Sequence, residues 1–109
     1  MIDESVPRQL VPELTALGHD IGAFPNAWKG LKNGRLIERI RSDGIQVLVT
    51  CDKNFRHQQN IARAGIGLIV LPSPFMPYLL SNLPAVGEAL VAVELGQVVE
   101  LEFVRKTNT

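Results

Sequence analysis

A chain of 109 residues suits one compact domain with a single core and is too short for two. A hydrophobic content of 46% is ordinary for a globular protein, and no apolar run approaches the roughly 20 residues that span a bilayer. We expect no secretory signal, since no basic region followed by an apolar stretch opens the sequence. Zero net charge argues against a dedicated nucleic-acid coat, and the lone Cys51 excludes an internal disulfide. We expect one cytoplasmic domain over residues 1–109, with 105–109 as a frayed tail.

Short apolar runs alternate with helical patterns along the chain, which is typical of a parallel α/β sheet. Pro12 lies in the first helical pattern, so this helix should either kink or start late. In chain order the predicted elements are a strand at 1–2, a helix ended by Gly18, a strand at 20–24, a helix from Asn33 to Gly44, a strand at 45–50, a helix from about Asn54 to Gly65 and a strand at 66–71. A helix from about Phe75 follows, then a second helix that Asn82 can cap and Gly96 closes, and finally a strand at 97–104.

The apolar character of each strand predicts its place in the sheet. Residues 45–50 and 66–71 are almost wholly apolar, as in central strands that are buried on both faces, whereas 97–104 alternates as a half-exposed edge strand does. With right-handed crossovers, these elements predict a small doubly wound sheet of order 2-1-3-4-5 with helices on both faces. Strands one and three are then neighbours.

Acidic residues follow two of these predicted strands. Asp3 and Glu4 come after the first strand, and Asp52 follows the strand that ends at Thr50. Ligands of open α/β sheets bind outside the carboxyl ends of the strands, where the strand order reverses, so Asp3 and Asp52 could hold one divalent cation. The alternative is that both only cap the helices that follow them.

Four short stretches resemble, in order and spacing, a short uncharacterised subfamily of PIN-like domains, relatives of the VapC-type toxin nucleases. The similarity covers most of the chain. The stretches are Asp3-Glu4-Ser5-Val6-Pro7, Gly18-His19-Asp20, Gly30-Leu31-Lys32-Asn33, and Thr50-Cys51-Asp52-Lys53-Asn54-Phe55.

The resemblance implies a metal-dependent ribonuclease that is the toxin of a toxin–antitoxin pair, with an antitoxin-like protein as partner. It implies that Asp3 and Asp52 are catalytic carboxylates that bind Mg²⁺ or Mn²⁺, with help from Glu4 and with Thr50 in support. Two features depart from the family pattern. Asn33 stands where many relatives have an acidic residue, which predicts weak metal binding, and the first strand has only two residues.

Positive charge surrounds the second acidic motif. Eight basic and three acidic residues between positions 29 and 63 give this stretch a net charge of +5, which could hold an RNA backbone beside the metal. The alternative is a set of solvated helix faces. The predicted RNA-binding residues are Lys29, Lys32, Arg35, Lys53, Arg56, Gln58 and Asn60.

Three other interpretations stay open. The Asn33 departure favours a degenerate PIN-like protein that only binds a partner. Response-regulator receivers share the strand order and the acidic positions, but their fifth strand is followed by a lysine that contacts the phosphoryl group. This chain offers no comparable lysine between Gly96 and its frayed end. The apolar segment 75–83 predicts a homodimer, unless it only covers the last two strands.

Trp28 could stack on a base or lie buried beneath its loop, and His19 is expected in a turn rather than as a base.

Overall fold

The computed structural model describes residues 1–28, 33–52 and 58–102, with the backbone alone at positions 33, 34, 58 and 59. The described part of the chain contains three strands, five α-helices and one short 3-10 helix. In chain order they are α1 (Leu10–Ala16), the 3-10 helix (Asn26–Trp28), α2 (Asn33–Ser42), β1 (Val47–Thr50), α3 (Gln58–Arg63), β2 (Gly67–Val70), α4 (Met76–Ser81), α5 (Leu83–Ala92) and β3 (Val98–Glu100).

The three strands form a parallel sheet in the order β1-β2-β3. Val47 pairs with Gly67, and Leu68 pairs with Val98. All four residues of β2 are buried, as expected for an apolar central strand. In β3, Val98 and Glu100 are exposed, so the predicted half-exposed edge strand is confirmed. It ends at Glu100 rather than at Val104, which lies outside the described residues.

The prediction of regular strands at residues 1–2 and 20–24 is wrong. Ile2 makes isolated parallel bridges to Ala23 and to Val49, and no longer ladder forms in either stretch. The first stretch is short because the chain turns at Asp3. In the second, Gly22 offers no side chain to pack and Pro25 has no backbone donor for a ladder.

The core lies on both faces of the sheet, because successive strand residues point in opposite directions. One face packs with α1, α4 and α5, and the other with the 3-10 helix, α2 and α3. The first cluster includes Ile2, Leu10, Leu14, Val49, Ile69, Leu79 and Val86. The second includes Phe24, Trp28, Ile40, Leu48, Ile61, Leu68 and Val70.

Three predicted helix ends are confirmed. Gly18, Gly44 and Gly65 each have a positive φ and lie two residues beyond α1, α2 and α3. After Gly18, the His19 N–H returns to the Leu14 carbonyl at 3.1 Å, a bond that closes the last turn of α1. The same closure recurs after the other two glycines.

The helix α1 starts late, at Leu10, which is one of the two predicted outcomes and places Pro12 in its first turn, where a missing donor costs little. Two other helix predictions need correction. Asn82 precedes α5, but its side chain donates to the Tyr78 carbonyl at 2.9 Å instead of capping α5. Gly96 does not close a helix, because α5 already ends at Ala92. The predicted start of α3 near Asn54 lies outside the described residues.

No helix within the described ranges is both long enough and apolar enough to cross a bilayer.

Candidate functional site

Asp3 lies beside the carboxyl-terminal half of β1. Its backbone N–H donates to the Val49 carbonyl at 2.9 Å, and the Val49 N–H donates to the Met1 carbonyl at 2.8 Å. The carbonyl of Asp3 then accepts from the Val6 N–H at 3.2 Å, which turns the chain away from the sheet. Asp3 is therefore fixed at the sheet edge where parallel strands present ligand sites.

Two hydroxyl groups connect Asp3 to the end of β1. Oδ1 of Asp3 accepts from the Ser5 hydroxyl and, at 2.9 Å, from the Ser5 N–H. The Ser5 Oγ lies 3.2 Å from the Thr50 Oγ1 and accepts from the Cys51 N–H at 2.8 Å. The Thr50 Oγ1 in turn accepts from the Asp52 N–H at 3.1 Å. These bonds join the two predicted acidic positions through one continuous polar network.

The proton positions in this network follow from donor and acceptor capacity. Ser5 donates its only hydroxyl proton to Asp3 and its oxygen accepts from the Cys51 N–H, so the single Thr50 hydroxyl proton is left for either Ser5 or Asp3. Thr50 then accepts from Asp52 N–H. Thr50 is fully buried and is the single buried polar residue among those whose side chains are described, so its hydroxyl needs these partners. The predicted supporting role of Thr50 fits this geometry.

Burial raises the pKa of the Asp3 carboxyl, because removal from water disfavours the charged form. Hydrogen bonds from Ser5 and from the Thr50 hydroxyl act in the opposite direction, and the charge of Glu4 adds a small further rise. Burial, together with the charge of Asp3, also raises the pKa of the Cys51 thiol to about 11. Cys51 is therefore a protonated thiol at neutral pH and a poor nucleophile.

A small depression of about 50 Å³ opens beside Asp3. Arg8 lines it together with Glu4, and the Arg8 guanidinium donates to the Phe24 carbonyl at 3.1 Å and to the Asn26 Oδ1 at 2.9 Å. A guanidinium held this way presents a fixed cationic group next to two carboxylates. The remaining lining residues are Val6, Ala23 and Phe24.

Sequence reasoning did not select Ser5 or Arg8. The spacing of Asp3 and Ser5 is a signal for a local turn in which an Asp side chain bonds the backbone two residues later. That signal could have identified Ser5. Arg8 carries no comparable signal, because its partners Phe24 and Asn26 meet it only in the folded chain.

The other predicted site residues are described to different extents. Glu4 and Asp52 are exposed, as are Arg35 and Asn60. Asn33 opens α2 and Gln58 opens α3, but their side chains are outside the description. The predicted RNA-binding residues that lie wholly outside the described residues are Lys29, Lys32, Lys53 and Arg56.

The described residues include no group of three or more His, Cys, Asp or Glu side chains placed to share a metal ion. The three acidic members of the predicted metal set, Asp3, Glu4 and Asp52, are all described and do not form such a group. The side chain of the fourth member, Asn33, lies outside the description. Carboxylate and amide oxygens remain the donor types that Mg²⁺ and Mn²⁺ prefer.

His19 and Trp28 lie away from the network of Asp3 and Thr50. Both line a cavity of about 570 Å³ that includes Gln46 and Val47, at the opposite end of β1. Trp28 is 5% exposed, which confirms its predicted burial. His19 packs on α5: a Cβ at Gly87 would lie 2.8 Å from the His19 Nε2.

Comparisons of this chain with protein-family models, curated proteins and solved structures gave no match.

Proposed function

We propose that this chain is a cytoplasmic PIN-like protein with metal-dependent ribonuclease activity, the toxin of a toxin–antitoxin pair. The observation that carries the proposal is the anchoring of Asp3 beside β1, in a hydrogen-bond network that extends through Thr50 to the Asp52 backbone. Two separate chain segments thereby bring acidic residues to one edge of the sheet. A phosphodiester-cleaving metal site needs carboxylates from separate segments at one edge, and this common requirement supports the proposal.

The proposal includes a five-position sheet of order 2-1-3-4-5. Support comes from Ile2, which bridges Ala23 on one side and Val49 of β1 on the other, both in parallel. The spatial order across the sheet is therefore Ala23, Ile2, β1, β2 and β3. Ala23 and Ile2 contribute single bridges rather than strands, so the first two places in the proposed PIN-like order depend on these bridges.

In the proposed site Asp3 and Asp52 would hold Mg²⁺ or Mn²⁺, with Glu4 and Asn33 as further oxygen ligands. A bound divalent cation supplies charge that activates water and shields the phosphate. Ser5 and Thr50 orient the Asp3 carboxylate through the bonds described above. Arg8 is placed to attract a phosphate toward the same edge, because its guanidinium lines the depression with Asp3.

A second candidate function is partner binding without catalysis. It is favoured by the hydrogen bonds at Asp3, whose Oδ1 already accepts two donors from Ser5, and by the burial that raises the pKa of this carboxyl. A carboxylate used in this way stabilises a turn rather than a cation. An antitoxin-like protein or a second copy would then be the partner.

Incubating the purified protein with mixed RNAs and Mn²⁺ or Mg²⁺ separates the two candidates. We expect cleavage by the wild type, its loss in Asp52→Asn, and its retention in Asp43→Asn. Asp43 is an exposed carboxylate at the opposite end of β1, so it is a matched control for the loss of one charge. Cleavage that persists unchanged in Asp52→Asn would come from a contaminant and would contradict the nuclease. If the purified protein cleaves no RNA in the presence of Mn²⁺ or Mg²⁺, the binding function is favoured.

A further inference from the structure

A groove of about 410 Å³ runs along the exposed face of α2 and meets the 3-10 helix. Its charged side chains are the guanidinium groups of Arg35 and Arg39 and the carboxylate of Glu38, all exposed. Ile40, on the other side of α2, is fully buried in the core beneath the sheet. The groove is therefore open to solvent, whereas the opposite side of α2 is packed in the core. Ala27, Trp28 and Ser42 complete its lining.

Arg39 is held in place by the aromatic ring beneath it. Its guanidinium carbon lies 5.8 Å from the Trp28 ring centroid, within the range of a cation–π contact. Trp28 is itself fixed, since it is buried and meets Phe24 edge to face with 5.8 Å between ring centroids. An anion that binds Arg39 consequently meets a guanidinium that already contacts a fixed ring.

Arg35 and Arg39 are four residues apart, so they project from the same side of α2 one turn apart. Like charges at this spacing destabilise a helix slightly, and a bound anion relieves that repulsion. Glu38 lies in the same groove, and its negative charge repels an anion. Removing this charge should strengthen anion binding, whereas removing the charge of Arg35 or Arg39 should weaken it. The groove thus contains two attractive groups and one repulsive group that can be changed separately.

The groove connects to the Asp3 depression through described contacts. Arg8 lines the depression and donates to the Phe24 carbonyl and to Asn26. Asn26 opens the 3-10 helix, which ends at Trp28, and Trp28 lies against Arg39. These contacts link residues that line the depression to residues that line the groove.

We propose that the groove formed by Trp28, Arg35, Arg39 and Ser42 binds the phosphodiester backbone of single-stranded RNA and extends the substrate path away from Asp3. This inference rests on the proposed ribonuclease function, because that function supplies the RNA. Arg39 is the central group, and Trp28 positions it. Recognition is by charge and is independent of base sequence.

Binding of a fluorescein-labelled oligouridylate, followed by anisotropy in EDTA at several salt concentrations, tests the groove without cleavage. Each lost phosphate contact should reduce the slope of log affinity against log salt by about 0.7. We expect that reduction in Arg39→Ala and in Arg35→Ala. Arg41→Ala should leave the slope unchanged, since Arg41 is exposed on α2 but does not line the groove. Glu38→Gln should tighten binding.

The single tryptophan provides a second readout. Oligouridylate should change the Trp28 emission of the wild type and of Arg41→Ala, but not that of Arg39→Ala. Equal changes produced by inorganic phosphate at matched ionic strength would assign the groove to free phosphate and overturn the RNA assignment. A response that is the same in Arg39→Ala and Arg41→Ala would overturn the groove itself.

Failure of this inference differs from failure of the nuclease proposal. RNA cleavage that requires Asp52, with binding unaffected by Arg39→Ala, contradicts only the groove. Binding that depends on Arg39 in a protein that never cleaves RNA contradicts only the nuclease. Far-ultraviolet circular dichroism of each variant shows whether α2 is retained, and Arg39→Lys keeps the charge if Arg39→Ala unfolds the helix.

Discussion

The hydroxyl oxygens of Ser5 and Thr50 lie 3.2 Å apart, although the two residues are 45 positions apart in the chain. This contact joins the turn that begins at Asp3 to the carboxyl end of β1. It couples the position of one acidic residue to the strand that leads to the other. The stability of the fold and the geometry of the candidate site therefore depend on the same hydroxyl groups.

Replacing Ser5 with alanine should destabilise the fold by about 1–3 kcal/mol, because the Cys51 N–H and the Thr50 hydroxyl each lose a partner in a partly buried network. Urea unfolding measures this loss. Ser81→Ala is the matched control: the Ser81 hydroxyl donates at 2.9 Å to Pro77 on an exposed helix face, so its removal should cost clearly less. Equal costs for the two variants would contradict a special role for Ser5.

The Asp3 carboxyl should titrate above the ordinary value of 3.8, because burial raises its pKa. The folded state then retains the proton longer than the unfolded chain, so the contribution of Asp3 to stability falls as pH rises from 3.8 through the raised folded pKa. Carbon NMR of the carboxyl group measures the pKa directly. A value at or below 3.8 would contradict the burial argument, and saturating Mg²⁺ should lower the pKa if Asp3 is a ligand.

Replacing Asn33 with aspartate should tighten Mn²⁺ binding, since a further carboxylate adds a full charge to the attraction for a divalent cation. Without metal, the variant should be slightly less stable, because another carboxylate would crowd Asp3 and Asp52. Calorimetric titration compares it with the wild type and with Gln46→Glu, which adds the same charge before β1 at the opposite edge. If Asn33→Asp gains no affinity over that control, position 33 does not face the acidic pair.

Self-association should be measurable by light scattering at micromolar concentration. In the predicted apolar segment, Leu79 is buried in the core, whereas Phe75 is 64% exposed and Leu80 is 43% exposed. The segment thus covers the sheet in part and leaves apolar surface for a second copy. Phe75→Ser should weaken association without lowering stability. A wild-type particle of 12.0 kDa would end the idea of a dimer.

Local patterns predicted much of this fold. The apolar runs around β1 and β2 identified the buried strands, and Gly18, Gly44 and Gly65 identified three helix ends. Both signals depend on neighbouring residues alone. The first two strands were overpredicted because a short apolar stretch does not show whether a ladder continues beyond one bridge.

The candidate site was less predictable because its contacts are long-range. Asp3 could be selected from its place after the first predicted strand and Thr50 from the family resemblance, but the Ser5 hydroxyl acquires its role from a strand far along the chain. Arg8 is similar, since its two acceptors, the Phe24 carbonyl and the Asn26 Oδ1, lie just beyond the bridge between Ile2 and Ala23. Periodicity and capping patterns contain no information about such partners.

Gly87 and His19 form a pair whose sizes are linked. A side chain at position 87 would begin 2.8 Å from the His19 imidazole nitrogen, so the imidazole would have to move away from α5 to admit it. Homologous chains should therefore change these two positions together, with a larger residue at 87 accompanied by a smaller one at 19. Such paired substitution gives a criterion for recognising distant relatives that is independent of any acidic residue.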